Sequence, residues 1–144
     1  MTAYPHEYEV AASGAPEGPV SVSSPGLEPL ETAAPAQFGG PGDRWSPETL
    51  FVGAAVDCFI LTFRAISRAS QLPWTQLRCT GRGTLDRLEG GMRFTALALD
   101  VQLVVPPGVE ADRAKRLLEK AEKSCLITRS LAFEPTLVTA VQTA

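Results

Sequence analysis

Residues 45–59 read WSPETLFVGAAVDCF, and this stretch contains the signals that decide the fold. Ser46 is a good helix N-cap, and Pro47 is preorganised for the first helical position. Glu48 suits the positive end of the helix dipole. The stretch therefore predicts a long helix that begins at this serine and runs to about Gln71.

Apolar residues cover most of the circumference of this predicted helix at about 100° per residue. The narrow polar stripe that remains holds Gly53, Asp57, Arg64, Ser67 and Arg68. We therefore expect the helix to be central and nearly enclosed. Cys58 lies within the apolar arc, where a cysteine is by itself more often a small core residue than a nucleophile.

The segment before the helix is rich in Pro, Gly, Ser and Ala. Residues 8–12 and 20–23 have β pattern on either side of a Pro-Glu-Gly turn, which predicts a short hairpin. Prolines and glycine pairs interrupt residues 25–42, so we expect an irregular loop there.

The segment after the helix alternates between strand and helix patterns. Residues 75–88 and 92–105 flank a Glu-Gly-Gly turn and predict a long β-hairpin. An amphipathic helix is expected over 110–124, and a last strand over 136–141. The order ββ-α-ββ-α-β predicts an α+β fold with the long central helix packed against a sheet.

Length and composition suit one domain over residues 1–144, in which the hairpin and loop form 1–45 and the helix-hairpin-helix-strand core forms 46–144. A net charge of −3 gives no electrostatic footprint for nucleic acid. Asp57 interrupts the longest charge-free apolar stretch, which is too short to span a bilayer, and the N-terminus lacks signal-peptide features. We therefore expect a cytoplasmic protein without a nucleic-acid or membrane partner.

The chain has three cysteines, which cannot all pair with one another. A lasting structural disulfide is not expected in a reducing compartment, so redox use or core packing remains. Cys79 alternates with Leu77 on a predicted strand and is expected in the core. His6 is the only histidine, and the cysteines lack metal-ligand spacing, so neither a metal nor a cofactor is expected.

The helix residues resemble a motif of the OsmC/Ohr family of osmotically induced and organic hydroperoxide resistance proteins. That motif reads roughly Gly-Gly, a turn, then Asn-Pro-Glu-x-Leu-x-x-x-Ala-x-x-x-Cys. A second family motif, Ala-x-x-x-Cys-Pro-x-Ser, resembles residues 121–128, AEKSCLIT, with Leu126 in place of the proline. The residues that match the first motif are Gly39, Gly40, Ser46, Pro47, Glu48, Leu50, Ala54 and Cys58.

This resemblance implies an intertwined homodimer in which two long helices lie between sheets built from both chains. It also implies a hydroperoxide reductase of the oxidative stress response, in which Cys58 attacks the peroxide and then forms a disulfide with Cys125. The implied substrate is an organic hydroperoxide, and hydrogen peroxide would be reduced less well. A dithiol reductant such as a lipoylated protein would reduce the disulfide again.

The sequence departs from the family at an arginine of the N-terminal hairpin, which in the family is bonded to the helix glutamate. No arginine precedes Arg44, so either this residue or Arg129 is a candidate for the activating cation. Ten residues separate Glu48 from Cys58, roughly 15 Å along a helix, so in a shared site the glutamate would come from the other subunit. The missing arginine leaves open an alternative, a non-catalytic OsmC-like protein that acts as a redox sensor or binds a small apolar ligand.

Overall fold

The computed structural model describes residues 2–144 and divides into two compact units, one up to Leu50 and one over Phe51–Ala144. Each unit is described by itself. The expectation of one domain over the whole chain stays a prediction.

The first unit contains a three-stranded antiparallel sheet. Its strands β1 (Ala11–Ser13), β2 (Val20–Ser23) and β3 (Leu30–Thr32) lie in chain order. The expected hairpin is confirmed, although its first strand begins later than predicted.

The third strand corrects the expectation of an irregular loop over 25–42. Its three residues lie between Pro29 and Pro35 and keep their own N–H groups, so they can pair with β2. Thr32 is buried, and its hydroxyl donates to the Val20 carbonyl at 3.3 Å. A single 3₁₀ turn, Ala36–Phe38, is the other regular element of this segment.

Helix α1 spans Pro47–Ala69, and its capping agrees with the sequence signals. The Thr49 N–H donates to the Ser46 side-chain oxygen at 3.1 Å, and the Ser46 N–H donates to the Thr49 hydroxyl at 2.9 Å. The helix ends slightly earlier than predicted because Gln71 adopts a left-handed φ of 54°. The following N–H then bonds back to the Ser67 carbonyl at 2.9 Å, which closes the C-terminus.

The second unit has a three-stranded sheet in the order β4-β5-β6. Strands β4 (Gln76–Leu88) and β5 (Gly91–Val105) are antiparallel, whereas β6 (Thr136–Thr143) runs parallel to β5. Helix α2 (Ala111–Ser124) connects β5 to β6. The α+β class is confirmed, and the observed order βββ-α-ββ-α-β differs from the predicted one by the additional strand β3.

The core of the second unit lies between one face of this sheet and the two helices. Glycines on β4 allow α1 to approach the sheet: a Cβ at Gly81 would lie 2.6 Å from Val56 Cγ1, and one at Gly83 would lie 2.7 Å from Val52 Cγ2. The buried apolar residues are Leu97, Leu99, Val101, Leu103 and Val105 on β5, Ala55, Phe59 and Phe63 on α1, and Ala114, Leu118 and Ala121 on α2.

Within the second unit helix α1 is not enclosed, which corrects the expectation from its composition. One sheet covers one face only, so Phe51 stays 39% exposed and Leu61 stays 51% exposed. By length and composition the helix is also apolar enough to cross a membrane, contrary to expectation, but its buried face makes it a core helix. The exposed apolar residues, here called the α1 stripe, are Phe51, Ala54, Leu61 and Ala65.

Candidate active site

Cys58 lies on α1 next to the α1 stripe and is half-buried. At the α-helical spacing, its side chain shares a face with Thr62, one turn further along. The distance from Cys58 Sγ to Thr62 Oγ1 is 3.8 Å, which is within hydrogen-bonding range for sulfur. The helix therefore presents a thiol and a hydroxyl side by side.

Cys125 comes directly after α2 and is fully buried. It continues the face of α2 that is buried in the core, as the sequence predicted. Its thiol is a neighbour of Cys58 and lowers the pKa of that residue. The structure therefore brings together the two cysteines that the sequence singled out, with both thiols free.

The turn after α2 supplies backbone donors to both sulfurs. The N–H groups of Leu126 and Ile127 lower the pKa of Cys58, and the N–H group of Thr128 lowers that of Cys125. A short 3₁₀ helix, Thr128–Ser130, then fixes the end of this turn. Donors of this kind stabilise a thiolate more than a thiol.

The two thiols differ in pKa as a result. Burial raises the pKa of Cys58, but hydrogen bonds from Cys125, Ile127, Thr62 and Leu126 together outweigh it, so the pKa lies below that of a free thiol. Burial raises the pKa of Cys125, and its hydrogen bond to Cys58 raises it further. Cys58 is therefore the thiol that ionises first and the better nucleophile near neutral pH.

Cys79 lies on β4 and packs against the core, as expected from the sequence. Burial, with the negative charges of Asp100 and Cys125, raises its pKa to about 11. A thiol with so high a pKa stays protonated near neutral pH and is a poor nucleophile.

Neither candidate cation is among the groups that lower the pKa of Cys58. Arg44 pairs with Glu31, with 2.7 Å between the guanidinium nitrogen and the carboxylate oxygen. Arg129 donates its backbone N–H to the Cys125 carbonyl at 3.0 Å, and its side chain lines a cavity of about 500 Å³. An activating role for either arginine stays a prediction.

Glu48 lies in the first turn of α1. Its Oε1 atom is buried and has no hydrogen-bond partner among residues 2–144. Burying a carboxylate oxygen without a hydrogen-bond partner lowers the stability of the fold, so we expect this atom to have a donor. Its catalytic role stays a prediction.

Sequence reasoning missed the neutral donors around Cys58. Thr62 lies outside the polar stripe that the sequence predicts for α1, although its spacing of four residues from the cysteine is a usable signal. The donors of Leu126 and Ile127 are backbone groups, which no residue pattern reveals. Within residues 2–144, no cluster of His, Cys, Asp and Glu side chains is arranged to hold a metal ion.

Comparison with models of known protein families shows which family the chain belongs to. The family model described as OsmC-like protein matches residues 40–140, which is more than half of the sequence. The chain belongs to the OsmC-like family.

Relatives of this OsmC-like chain include proteins with and without a named activity. It is 28% identical over 100 residues to the uncharacterized protein YmaD of Bacillus subtilis, covering 67% of each chain. It is 27% identical over 92 residues to peroxiredoxin OsmC of Escherichia coli, covering 64% of each chain. An OsmC-like protein of unknown function from Vibrio cholerae has the same fold, with a TM-score of 0.86 at 16% identity, covering 94% of this chain and 100% of that one.

Proposed function

We propose that this protein is a thiol-dependent peroxidase that reduces organic hydroperoxides through Cys58 and Cys125. The observation that carries the proposal is the placement of a half-buried thiol, Cys58, next to a second, fully buried thiol, Cys125, both of them free. A related protein of Escherichia coli is named a peroxiredoxin, which supports the same reaction class. Hydroperoxide reductase activity of this kind fits a role in the oxidative stress response.

In the first step the Cys58 thiolate attacks one oxygen of the peroxide. The O–O bond breaks, an S–O bond forms, and the other oxygen leaves as an alcohol after it takes up a proton. The cysteine is oxidised to a sulfenic acid and the peroxide is reduced.

In the second step the Cys125 sulfur attacks the Cys58 sulfur. The S–S bond forms, the S–O bond breaks, and hydroxide leaves as water with the proton that Cys125 loses. An external dithiol, for example a lipoyl group, then reduces the disulfide and is itself oxidised to a disulfide. The buried position of Cys125 keeps this thiol away from solvent until Cys58 has reacted.

The apolar surroundings of Cys58 favour organic over inorganic peroxide. The α1 stripe runs past this cysteine and includes Phe51, whose ring stacks on Phe94 with 4.6 Å between the ring centroids. An alkyl or aryl group of the peroxide can bury apolar surface there, whereas hydrogen peroxide has none to bury.

The α1 stripe also supports a homodimer, because exposed apolar residues on one face of a helix can be buried by a second copy. In such a dimer Glu48 acts at the site of the other subunit, as its spacing of ten residues from Cys58 suggests. The dimer is cytoplasmic, where dithiol reductants are available.

The proposal is tested by turnover of cumene hydroperoxide with dihydrolipoamide as reductant. Wild-type protein and Cys79→Ser turn over at similar rates, because Cys79 stays protonated and outside the reaction. Cys58→Ser consumes peroxide no faster than the solution without protein. Equal turnover by Cys58→Ser and wild type would show that this cysteine is not the nucleophile.

A redox sensor is the second candidate function, because no arginine or lysine is among the groups that lower the pKa of Cys58. A sensor forms the Cys58–Cys125 disulfide once and holds it, whereas a peroxidase is reduced by dithiol and reacts again. Repeated additions of peroxide with dihydrolipoamide present distinguish the two. Consumption of many equivalents per protein supports the peroxidase, and consumption of one supports the sensor.

A further inference from the structure

We propose that neutral donors of the same chain hold the Cys58 thiolate: the Thr62 hydroxyl and the backbone N–H groups of Leu126 and Ile127. No charged side chain is required for this. The inference rests on the proposed function in one respect, since it concerns the thiolate that would attack the peroxide. Thr62 and Leu126 are thereby positioning residues for Cys58.

The hydroxyl of Thr62 is free to act on the sulfur. Its oxygen is 3.8 Å from Cys58 Sγ, and this is its only side-chain hydrogen-bond contact within residues 2–144. A threonine hydroxyl in a helix often bonds instead to the carbonyl one turn earlier. Here the hydroxyl instead contacts the Cys58 thiol, because the two residues are four apart and share one face of α1.

The backbone of the turn after α2 places the N–H groups of Leu126 and Ile127 beside Cys58, and both groups lower the pKa of that thiol. Cys125 leaves the helix with an extended ψ of 115°, and Ile127 returns to helical angles at φ −70° and ψ −49°. The first backbone hydrogen bond that closes the turn is from the Arg129 N–H to the Cys125 carbonyl. Within the described residues, the Leu126 and Ile127 N–H groups have no backbone carbonyl partner, so both remain for the sulfur.

Successive backbone N–H groups that converge on one point form a binding site for an anion. A thiolate is such an anion, and the donors are already fixed by α1 and by the turn. Because these donors carry no net charge, their effect on the thiolate depends little on salt, unlike that of an exposed arginine.

Leu126 allows the backbone donor to be removed by a single substitution. Its side chain is 67% exposed, so changing it disturbs little packing. Leu126→Pro deletes the N–H group, and Leu126→Ala keeps it. The extended conformation of Cys125 is the one that a residue before proline prefers, so the turn can accept the proline.

The measurement is the rate of Cys58 alkylation by iodoacetamide as a function of pH, followed on the Cys58 peptide by mass spectrometry. Thr62→Val and Leu126→Pro are compared with Thr62→Ser and Leu126→Ala, which keep the respective donors. We expect the first two to move the pH profile upward and to slow alkylation near neutral pH by about three- to tenfold, as for the loss of one hydrogen bond. The two control variants are expected to keep the wild-type profile, and the wild-type profile to be the same at low and high salt.

The proposal is overturned if each donor-deleting variant has the same profile as its control, or if salt moves the wild-type profile as it would for a charged partner. If Leu126→Pro does not fold, as judged by circular dichroism, the pair Thr62→Val and Thr62→Ser decides alone. Alkylation requires no peroxide and no reductant. A protein without peroxidase turnover therefore still tests how the thiolate is held, and the two failures are distinguishable.

Discussion

Cys125 is fully buried, yet its thiol neighbours that of Cys58, which is half-buried on α1. In the proposed peroxidase reaction, the half-buried sulfur of Cys58 would meet the peroxide while the buried sulfur of Cys125 stays protected from it. The hydrogen bond also couples them, because it lowers the pKa of Cys58 and raises that of Cys125.

Cys58 is expected to react with iodoacetamide at a lower pH than Cys79. Cys58 has a pKa below that of a free thiol, so its thiolate persists to lower pH and it is alkylated first. The pKa of Cys79 is about 11, so this residue remains a thiol until the solution is strongly alkaline. Peptide mapping after brief labelling at several pH values gives the order. Alkylation of Cys79 before Cys58 near neutral pH would contradict it.

Replacing Cys125 with serine is expected to stop the reaction at the sulfenic acid. The serine hydroxyl cannot form a disulfide with Cys58, so the oxidised sulfur persists and is open to further oxidation. Dimedone labelling of Cys58 after one equivalent of peroxide detects this state, and wild type treated in the same way gives little adduct. Equal adduct in both proteins would mean that Cys125 does not resolve the sulfenic acid.

The substitution Gly81→Ala is expected to disrupt the close packing of α1 against β4. A Cβ there would lie 2.6 Å from Val56 Cγ1, so Gly81→Ala forces the helix away and lowers the free energy of unfolding by about 1–3 kcal/mol. Urea unfolding of Gly81→Ala, Val56→Ala and the double variant tests this contact. We expect the double variant to lose less free energy of unfolding than the sum of the losses in the two single variants. Losses that simply add would show that the two side chains do not contact each other.

The sequence was sufficient to predict most elements because their signals are local. The N-cap at Ser46 marks the start of α1, and the Glu-Gly-Gly turn after Leu88 marks the point where the long hairpin reverses. Strand β3 was missed because prolines on either side concealed three residues that can still pair. At the site, the pairing of Cys58 with Cys125 followed from family motifs, whereas the donors of the turn depend on backbone geometry that residue types do not encode.

The α1 stripe is expected to lie in the interface of a homodimer. Leu61 is 51% exposed in the single chain, so Leu61→Lys places a charge in that interface and favours monomers, with turnover lowered at least about tenfold. Val138→Lys is the matched control, because Val138 is 66% exposed on β6 and is not part of the α1 stripe. Size-exclusion chromatography with light scattering reads the mass of each. A wild-type monomer with full peroxidase activity would contradict both the dimer and the proposed role of Glu48.

The most direct test of the account is a single-turnover reaction with mapping of the products. The protein is fully reduced, mixed without oxygen with one equivalent of cumene hydroperoxide, quenched by alkylation, and its thiols and disulfides are identified by mass spectrometry. The account predicts rapid formation of a Cys58–Cys125 disulfide with Cys79 left reduced. Three unreacted thiols after minutes, or a disulfide that includes Cys79, would contradict it.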